Sequence, residues 1–274
     1  MINVPTTTSI HPTAVIHPTA TIADGVAIGP YAIVGERAFI DAGTTLHHHA
    51  SVEAFTSIGR DCEIFAGAVV GGVPQDLKFQ GEESYCVVGD RNVIREHVTI
   101  NRATSGGDVT RIGNDNLFMA YVHVAHDCQV GNGIVLANGV TLAGHVEIED
   151  HVVIGGMTGL HQFIRVGKMA MVGAMSRLAQ DVPPFMLVEG NPPKVYGLNV
   201  LGLRRNGVPA AARTQIKRAF KLMYRSNLNL GQAIQEMGKL EASHEVRHLI
   251  GFLQATERGI SGIARHDMGL EAEA

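Results

Sequence analysis

Counting by sixes from Ile10, each step lands on a large aliphatic residue: Ile10, Ile16, Ile22, Ile28, Val34, Ile40, Leu46, Val52, Ile58, Ile64 and Val70. A second run begins at Ile112 and passes through Phe118, Val124, Val130, Leu136, Leu142, Ile148, Ile154, Leu160, Val166 and Val172 to Leu178. The fifth position of each early hexad is small: Ala14, Ala20, Val26, Ala32, Ala38, Thr44, Ala50, Thr56, Cys62 and Ala68. A period of six with one large apolar residue per unit predicts a parallel β-helix. Each hexad supplies a short flat strand and a corner. Three hexads, roughly 18 residues, close one triangular coil, and coils stack at about 4.8 Å, the spacing of neighbouring strands. The 32 glycines and the absence of Trp suit this reading, because corners need Gly and the interior is too narrow for large rings.

Two stretches break the frame, 71–87 and 101–110, and it resumes at Val88, Ile94, Ile100 and Ile112. They read as loops projecting from corners, the first long enough to be functional. The repeat stops at Leu178, and a Pro-rich junction follows with Pro183-Pro184 and Asn191-Pro192-Pro193. Beyond it the period becomes helical. Pro209 opens one helix with Ile216, Phe220 and Met223 on a face. Leu230, Ile234, Met237 and Leu240 make a second. Ser243 caps a third, with Val246, Leu249, Ile250 and Leu253 apolar, and Gly259 as its end. The tail from about Ile260 reads as frayed. The expected division is a mainly β domain over 1–190 with the two projecting loops, then an α-helical C-terminal domain over 191–274.

A net charge of −4 gives no basic surface for nucleic acid. No apolar run approaches the roughly 18 residues of a membrane span, so no stable membrane insertion is expected. Met1 to Ile10 has neither the basic nor the apolar part of a signal peptide. The three cysteines are unclustered, and two of them, Cys62 and Cys128, fall on small fifth positions. They read as buried thiols in a reducing cytoplasm.

Stacking converts spacing into sites. Residues 18 apart lie above one another, so His126, Gly144 and Gln162 form one column, and His123, Thr141 and Gly159 a neighbouring one. His145 and His161 flank the first column. A second column, Ala120, Asn138, Gly156 and Ala174, stands on another corner and is mostly small. Side-by-side packing of coils in a cyclic oligomer would set the two corners against each other. The groove between them would suit a long, thin, apolar ligand. His126, followed by Asp127, can be held in one tautomer, which suits a general base. Polar corner residues remain the alternative for His126, His145 and His161, and zinc ligation is a rival chemistry. His47-His48-His49 reads as exposed corner residues without a carboxylate partner.

An ordered set of motifs then carries a resemblance: Val73-Pro74-Gln75-Asp76-Leu77-Lys78-Phe79, His123-Val124-Ala125-His126-Asp127-Cys128, Leu142-Ala143-Gly144-His145-Val146, Gly155-Gly156-Met157-Thr158, His161-Gln162-Phe163, Ala179-Gln180-Asp181-Val182-Pro183-Pro184, Gly190-Asn191 and Tyr224-Arg225-Ser226. Together they resemble the acyl-ACP–UDP-N-acetylglucosamine O-acyltransferases of lipid A biosynthesis, over nearly the whole chain. The resemblance implies a left-handed β-helix, a cytoplasmic homotrimer with sites between subunits, and transfer of an (R)-3-hydroxyacyl group from acyl carrier protein to the sugar 3-OH of UDP-N-acetylglucosamine. His126 would be the general base, Asp127 its orienter and the Gly144 N–H the oxyanion donor. Asp76, Lys78, His123, His145 and His161 would contact sugar and substrate, and Gln162, Asn199 and Arg205 the nucleotide. No cofactor and no metal are implied. In this family's pattern the far end of the acyl groove sets chain length. Ala174 lies roughly 13 Å along the axis from His126 at the strand spacing. With Asn138 and Gly156 it would line that groove and favour a donor of roughly 12–14 carbons.

Three departures stand near the acceptor end: Leu201 in place of Glu, Asn206 in place of a basic residue, and Asn101-Arg102-Ala103 in place of His-Arg-Gly. They keep a 3-amino UDP-sugar open as acceptor. The related N-acyltransferase of the same pathway carries an N-terminal uridine-binding domain, for which a repeat starting at Ile10 leaves no room. A zinc lyase and a non-enzymatic solenoid are the readings from other classes.

Overall fold

The computed structural model describes residues 8–239 and 242–262. Most of Met1–Ile10, most of the tail from Ile260, and Leu240 of the second expected helix lie outside the described residues.

The hexads form the parallel β-helix that the period predicts, with the left hand that the resemblance implies. Among the described residues, twenty-six short parallel strands and a closing one-residue-bulged antiparallel pair make three flat sheets of eleven, nine and eight strands. The first sheet contains Leu117–Phe118 and Val135–Leu136, the second His123–Val124 and Thr141–Leu142, the third Gln129–Val130 and Glu147–Ile148. Consecutive hexads therefore go to consecutive sheets. The large apolar residue of each hexad points into the prism: Ile40, Val52, Ile64, Ile94, Ile100, Val124, Leu136, Leu142 and Ile154 are fully buried. The small fifth residues fill the space beneath the corners, where Ala32, Ala50, Thr44, Thr56 and Ala68 are buried as completely. Among the described residues nothing lies beneath the first coil, and Ile10 is 46% exposed despite being in frame.

The corners bend through residues with positive φ, and most of these are not glycine: His49, Phe55, Asp61, Tyr121, Asp127, His145, Met157 and Phe163 all lie near +60°. The left-handed conformation costs an ordinary residue roughly 1–2 kcal/mol. Stacking offsets it, because the N–H at this position reaches back to the preceding coil. His49 donates to the Pro30 carbonyl (3.0 Å), Tyr121 to Glu96 (3.0 Å) and His145 to His126 (3.1 Å). The same geometry throws these side chains outward at the edges of the prism.

Both loops are shorter than 71–87 and 101–110. Gly71 and Gly72 extend one strand and Tyr85–Val88 form another, which leaves 73–84; Thr99–Asn101 and Val109–Ile112 leave 102–108. The flanking residues join the ladder because their backbone groups find partners there, Cys86 pairing with Thr56 and Thr110.

A hairpin of Met186–Gly190 and Pro193–Leu198 closes the prism. Four helices follow among the described residues: α1 Val200–Arg205, α2 Ala210–Tyr224, α3 Leu230–Gly238 and α4 His244–Gln254. The sequence reading missed α1, which has too few residues to show a period. α3 starts with a capping box between Asn229 and Gln232, and Ser243 caps α4 through the Val246 N–H. α4 ends at Gln254, short of Gly259, whose positive φ serves the turn beyond. The helices are moored to the last coils. Arg165 donates to Asp181 and to the Phe252 carbonyl, Thr256 donates to Asp181, and His248 meets Glu149 at 2.8 Å.

Candidate active site

Strand His123–Val124 runs into a corner formed by Ala125, His126 and Asp127. The left-handed backbone of Asp127 (φ +60°) is fixed by its N–H, which donates to the Thr110 hydroxyl at 2.7 Å. It turns the carboxylate back onto its neighbour, and Nδ1 of His126 lies 2.8 Å from Oδ2 of Asp127. His126 is only 7% exposed. An ionised carboxylate accepts only, so in the neutral imidazole Nδ1 carries the proton and Nε2 keeps its lone pair.

One coil on, Gly144 lies against that ring. A Cβ there would stand 2.5 Å from Cε1 and 2.7 Å from Nε2 of His126. The Gly144 N–H makes no hydrogen bond among the described residues. A basic nitrogen thus sits beside a free backbone donor, the pair that acyl transfer requires for proton removal and for the oxyanion.

His145 completes the corner. Its Nε2 is 3.6 Å from Oδ2 of Asp127, its ring meets His126 edge to face at 5.2 Å, and Phe163 stacks on it at 4.5 Å. The Phe163 contact was missed in the sequence, although 145 and 163 differ by one coil. Burial works against the charge on Asp127. Hydrogen bonds from the Thr104 hydroxyl, His126 and the Thr104 N–H, with His145 nearby, outweigh it and hold the carboxyl below its ordinary value. His123 bonds to the Thr99 hydroxyl at 2.7 Å. Burial, and secondarily His126, press its imidazole toward the neutral form. His126, Asp127 and His145 also offer ligand atoms within 4.8 Å of one another, enough to hold an ion. Oδ2 of Asp127 receives both His126 and Thr104.

The other candidates are dispersed. His161 and Gln162 occupy the next coil at the same corner, both exposed. Asp76 and Lys78 are on the 73–84 loop, where Oδ1 of Asp76 accepts the Lys78 N–H. That loop leaves the same sheet two strands before His123–Val124. Asn199 caps α1: its Oδ1 accepts from Gly202 and its Nδ2 donates to the Met169 carbonyl. Arg205 ends that helix, exposed. Asn138, Gly156 and Ala174 stand on the corner after the first sheet, so within one chain they share no groove with His126. His47 differs from expectation: its Nε2 meets Glu63 at 3.0 Å, a carboxylate partner one coil away that linear spacing hid. All three cysteines are buried, and burial pushes Cys86 and Cys128 up to about 12. They are packing residues. No described helix is long and apolar enough to cross a membrane.

Comparison with known proteins adds the rest. Residues 181–261 match the model described as "Udp N-acetylglucosamine O-acyltransferase; Domain 2", and residues 110–144 match the bacterial transferase hexapeptide model. An acyl-[acyl-carrier-protein]–UDP-N-acetylglucosamine O-acyltransferase from Verminephrobacter eiseniae is 49% identical over 264 residues, covering 92% of this chain and 98% of that one. The protein of the same name from Synechocystis is 50% identical over 203 residues, 74% of each chain. Among solved structures, LpxA from Acinetobacter baumannii superposes with a TM-score of 0.89 at 44% identity, covering 92% of this chain and 98% of that one. The UDP-N-acetylglucosamine acyltransferase of Arabidopsis gives 0.82 at 34%, covering 92% and 99%.

Proposed function

The chain belongs to the acyl-ACP–UDP-N-acetylglucosamine O-acyltransferase family, and from that premise we propose how the His126 corner carries out the reaction. The overall activity is transfer of an acyl group from acyl carrier protein to UDP-N-acetylglucosamine in lipid A biosynthesis. The donor is an (R)-3-hydroxyacyl thioester and the nucleophile is the sugar 3-OH. Nε2 of His126 takes the hydroxyl proton as the oxygen attacks the thioester carbon. Asp127 holds the imidazolium that forms. The oxyanion points at the Gly144 N–H, and its collapse expels the thiolate of acyl carrier protein. That thiolate recovers the proton from His126, so the enzyme ends as it began. A general base contributes roughly 10²–10⁴-fold. The observation that carries this reading is the buried 2.8 Å His126–Asp127 pair lying against Gly144.

His123, His145 and His161 line the corner toward the sugar, with Asp76 and Lys78 reaching it from the 73–84 loop. Gln162, Asn199 and Arg205 meet the nucleotide, Asn199 exchanging a cap contact for it. The enzyme works in the cytoplasm as a trimer whose grooves lie between subunits. Mass spectrometry of products from a panel of UDP-sugars and 3-hydroxyacyl carrier proteins is the test. An ester on UDP-N-acetylglucosamine is expected, whereas an amide formed only on a 3-amino sugar would reassign the acceptor. His126→Ala should lose at least 10²-fold in turnover and stay folded; retention of more than about a tenth would remove the base assignment.

A further inference from the structure

The 102–108 loop interrupts the hexad frame, and one of its residues touches the centre just described. Thr104 donates its hydroxyl to Oδ2 of Asp127 at 2.7 Å and its backbone N–H to Oδ1 at 3.3 Å. Oδ2 is the oxygen that also receives His126, and Thr110 holds the Asp127 backbone from below at 2.7 Å. The carboxylate is therefore gripped on both oxygens by one residue from outside the repeat.

The loop that presents Thr104 is itself tied down. Arg102 N–H donates to the Gly72 carbonyl (2.9 Å), Ala103 N–H to Tyr85 (3.2 Å) and Gly107 N–H to Glu83 (3.0 Å), while the Ser84 hydroxyl donates to the Ala103 carbonyl. The Arg102 guanidinium lies 5.4 Å from the Phe79 ring centre. A continuous chain of contacts thus runs from the Asp76- and Lys78-bearing loop through 102–108 to Asp127 and His126. We propose that Thr104 is a positioning residue for catalysis, fixing the Asp127 carboxylate so that it holds the His126 ring in its productive tautomer and orientation. The inference rests on the reading of His126 as the base.

The physical reason is geometric and electrostatic together. A carboxylate held by one histidine alone can rotate, and a displacement of about 1 Å at a catalytic group costs on the order of 10²-fold. The Thr104 hydroxyl also shares the Asp127 charge. Without it the carboxylate attracts the imidazolium more strongly, and the neutral base is regained only at higher pH. The other titratable or charged groups facing the pair are His123 beside His126, His145 at 3.6 Å from Asp127 and, around the polar pocket beyond it, Glu147, Arg165, Asp181 and Glu257. None of these is altered by a change at Thr104.

The experiment compares Thr104→Val, Thr104→Ser, Asp127→Asn and the Val/Asn double variant in steady-state kinetics and pH–rate profiles, with melting curves. Thr104→Val should lower kcat about tenfold, leave KM for UDP-N-acetylglucosamine within about twofold, and move the acid limb of kcat to higher pH. Thr104→Ser should restore most of kcat and the original limb. The double variant should be no slower than Asp127→Asn, because both changes act through one carboxylate. If Thr104→Val keeps its kcat and acid limb, or if the two losses simply multiply, the proposal is overturned. If it does not fold, Thr104→Ala carries the same comparison; failure of both to fold while the Ser variant does assigns Thr104 to loop structure and overturns the proposal too. Full activity in Asp127→Asn would overturn the reading of the site along with this inference, whereas a slow Asp127→Asn with an unaffected Thr104→Val overturns this inference alone.

Discussion

A methyl group on Gly144 would overlap the His126 ring, 2.5 Å from Cε1. The backbone of Gly144 is not in the left-handed region, so alanine meets no conformational barrier there. The whole cost falls on an imidazole that is buried and tethered to Asp127. Gly144→Ala should therefore displace the base while barely disturbing the coil. We expect kcat to fall by on the order of 10²-fold or more, with stability lowered by about 1 kcal/mol. Kinetics and thermal melts measure the two separately. A variant with kcat within tenfold of the parent would show that the ring need not sit where it does. At this scale the sequence was informative where chemistry follows stacking: the 126–144 column placed a histidine over a glycine, and adjacency placed Asp127 beside it. Thr104 and Thr99 gave no signal. Their hydroxyls reach partners 23 and 24 residues away across an insertion, and threonine in a loop looks like any other polar loop residue.

At the scale of elements, each corner column is a one-dimensional ruler marked at about the strand spacing. Ala174 stands exposed on the corner after the first sheet, in line with Asn138 and Gly156. If a partner's His126 corner faces this column, a side chain at 174 meets the far end of the acyl chain. Ala174→Met should then shift preference to a donor shorter by roughly two to four carbons, since overfilling an apolar channel costs roughly 1–3 kcal/mol. Measuring kcat/KM over a series of 3-hydroxyacyl carrier proteins decides it, and an unchanged ranking means that Ala174 lines no acyl groove. The helical part was less legible than the coils. Where capping chemistry was strong, as at Ser243, the start was right. α1 is too short for periodicity, and its Asn199 cap became visible only once the chain was folded.

At the scale of the whole molecule, the proposed groove between subunits makes the association state a test of the site. Tyr121, Met157 and Met175, beside Ala120, Gly156 and Ala174, are 66%, 69% and 78% exposed, a row of large apolar side chains along one edge. An edge of that kind calls for cover, and in the proposed reaction the His126 corner on another edge of the prism would take an opposing wall from a partner. A closed ring of three prisms would supply both. Sedimentation equilibrium of the full chain at micromolar concentration should give a trimer, and a monomer there would remove the shared-site reading. Truncation before α2 should leave the association intact, because those edges belong to the coils.

The sequence by itself determined the prism. A strict period of six can satisfy its apolar residues in few ways, so sheets, register and the 18-residue columns followed from local pattern alone. It determined the His126–Asp127 pair for the same reason, since neighbours in sequence remain neighbours at a corner. The tertiary structure alone decided what the two loops do, how α1 is capped, how Asp181 moors the helices to Arg165, and which hydroxyls brace the carboxylate. These contacts join residues whose separation follows no period. Their partners are chosen by the path of irregular backbone through space, and no repeat in the chain encodes that path.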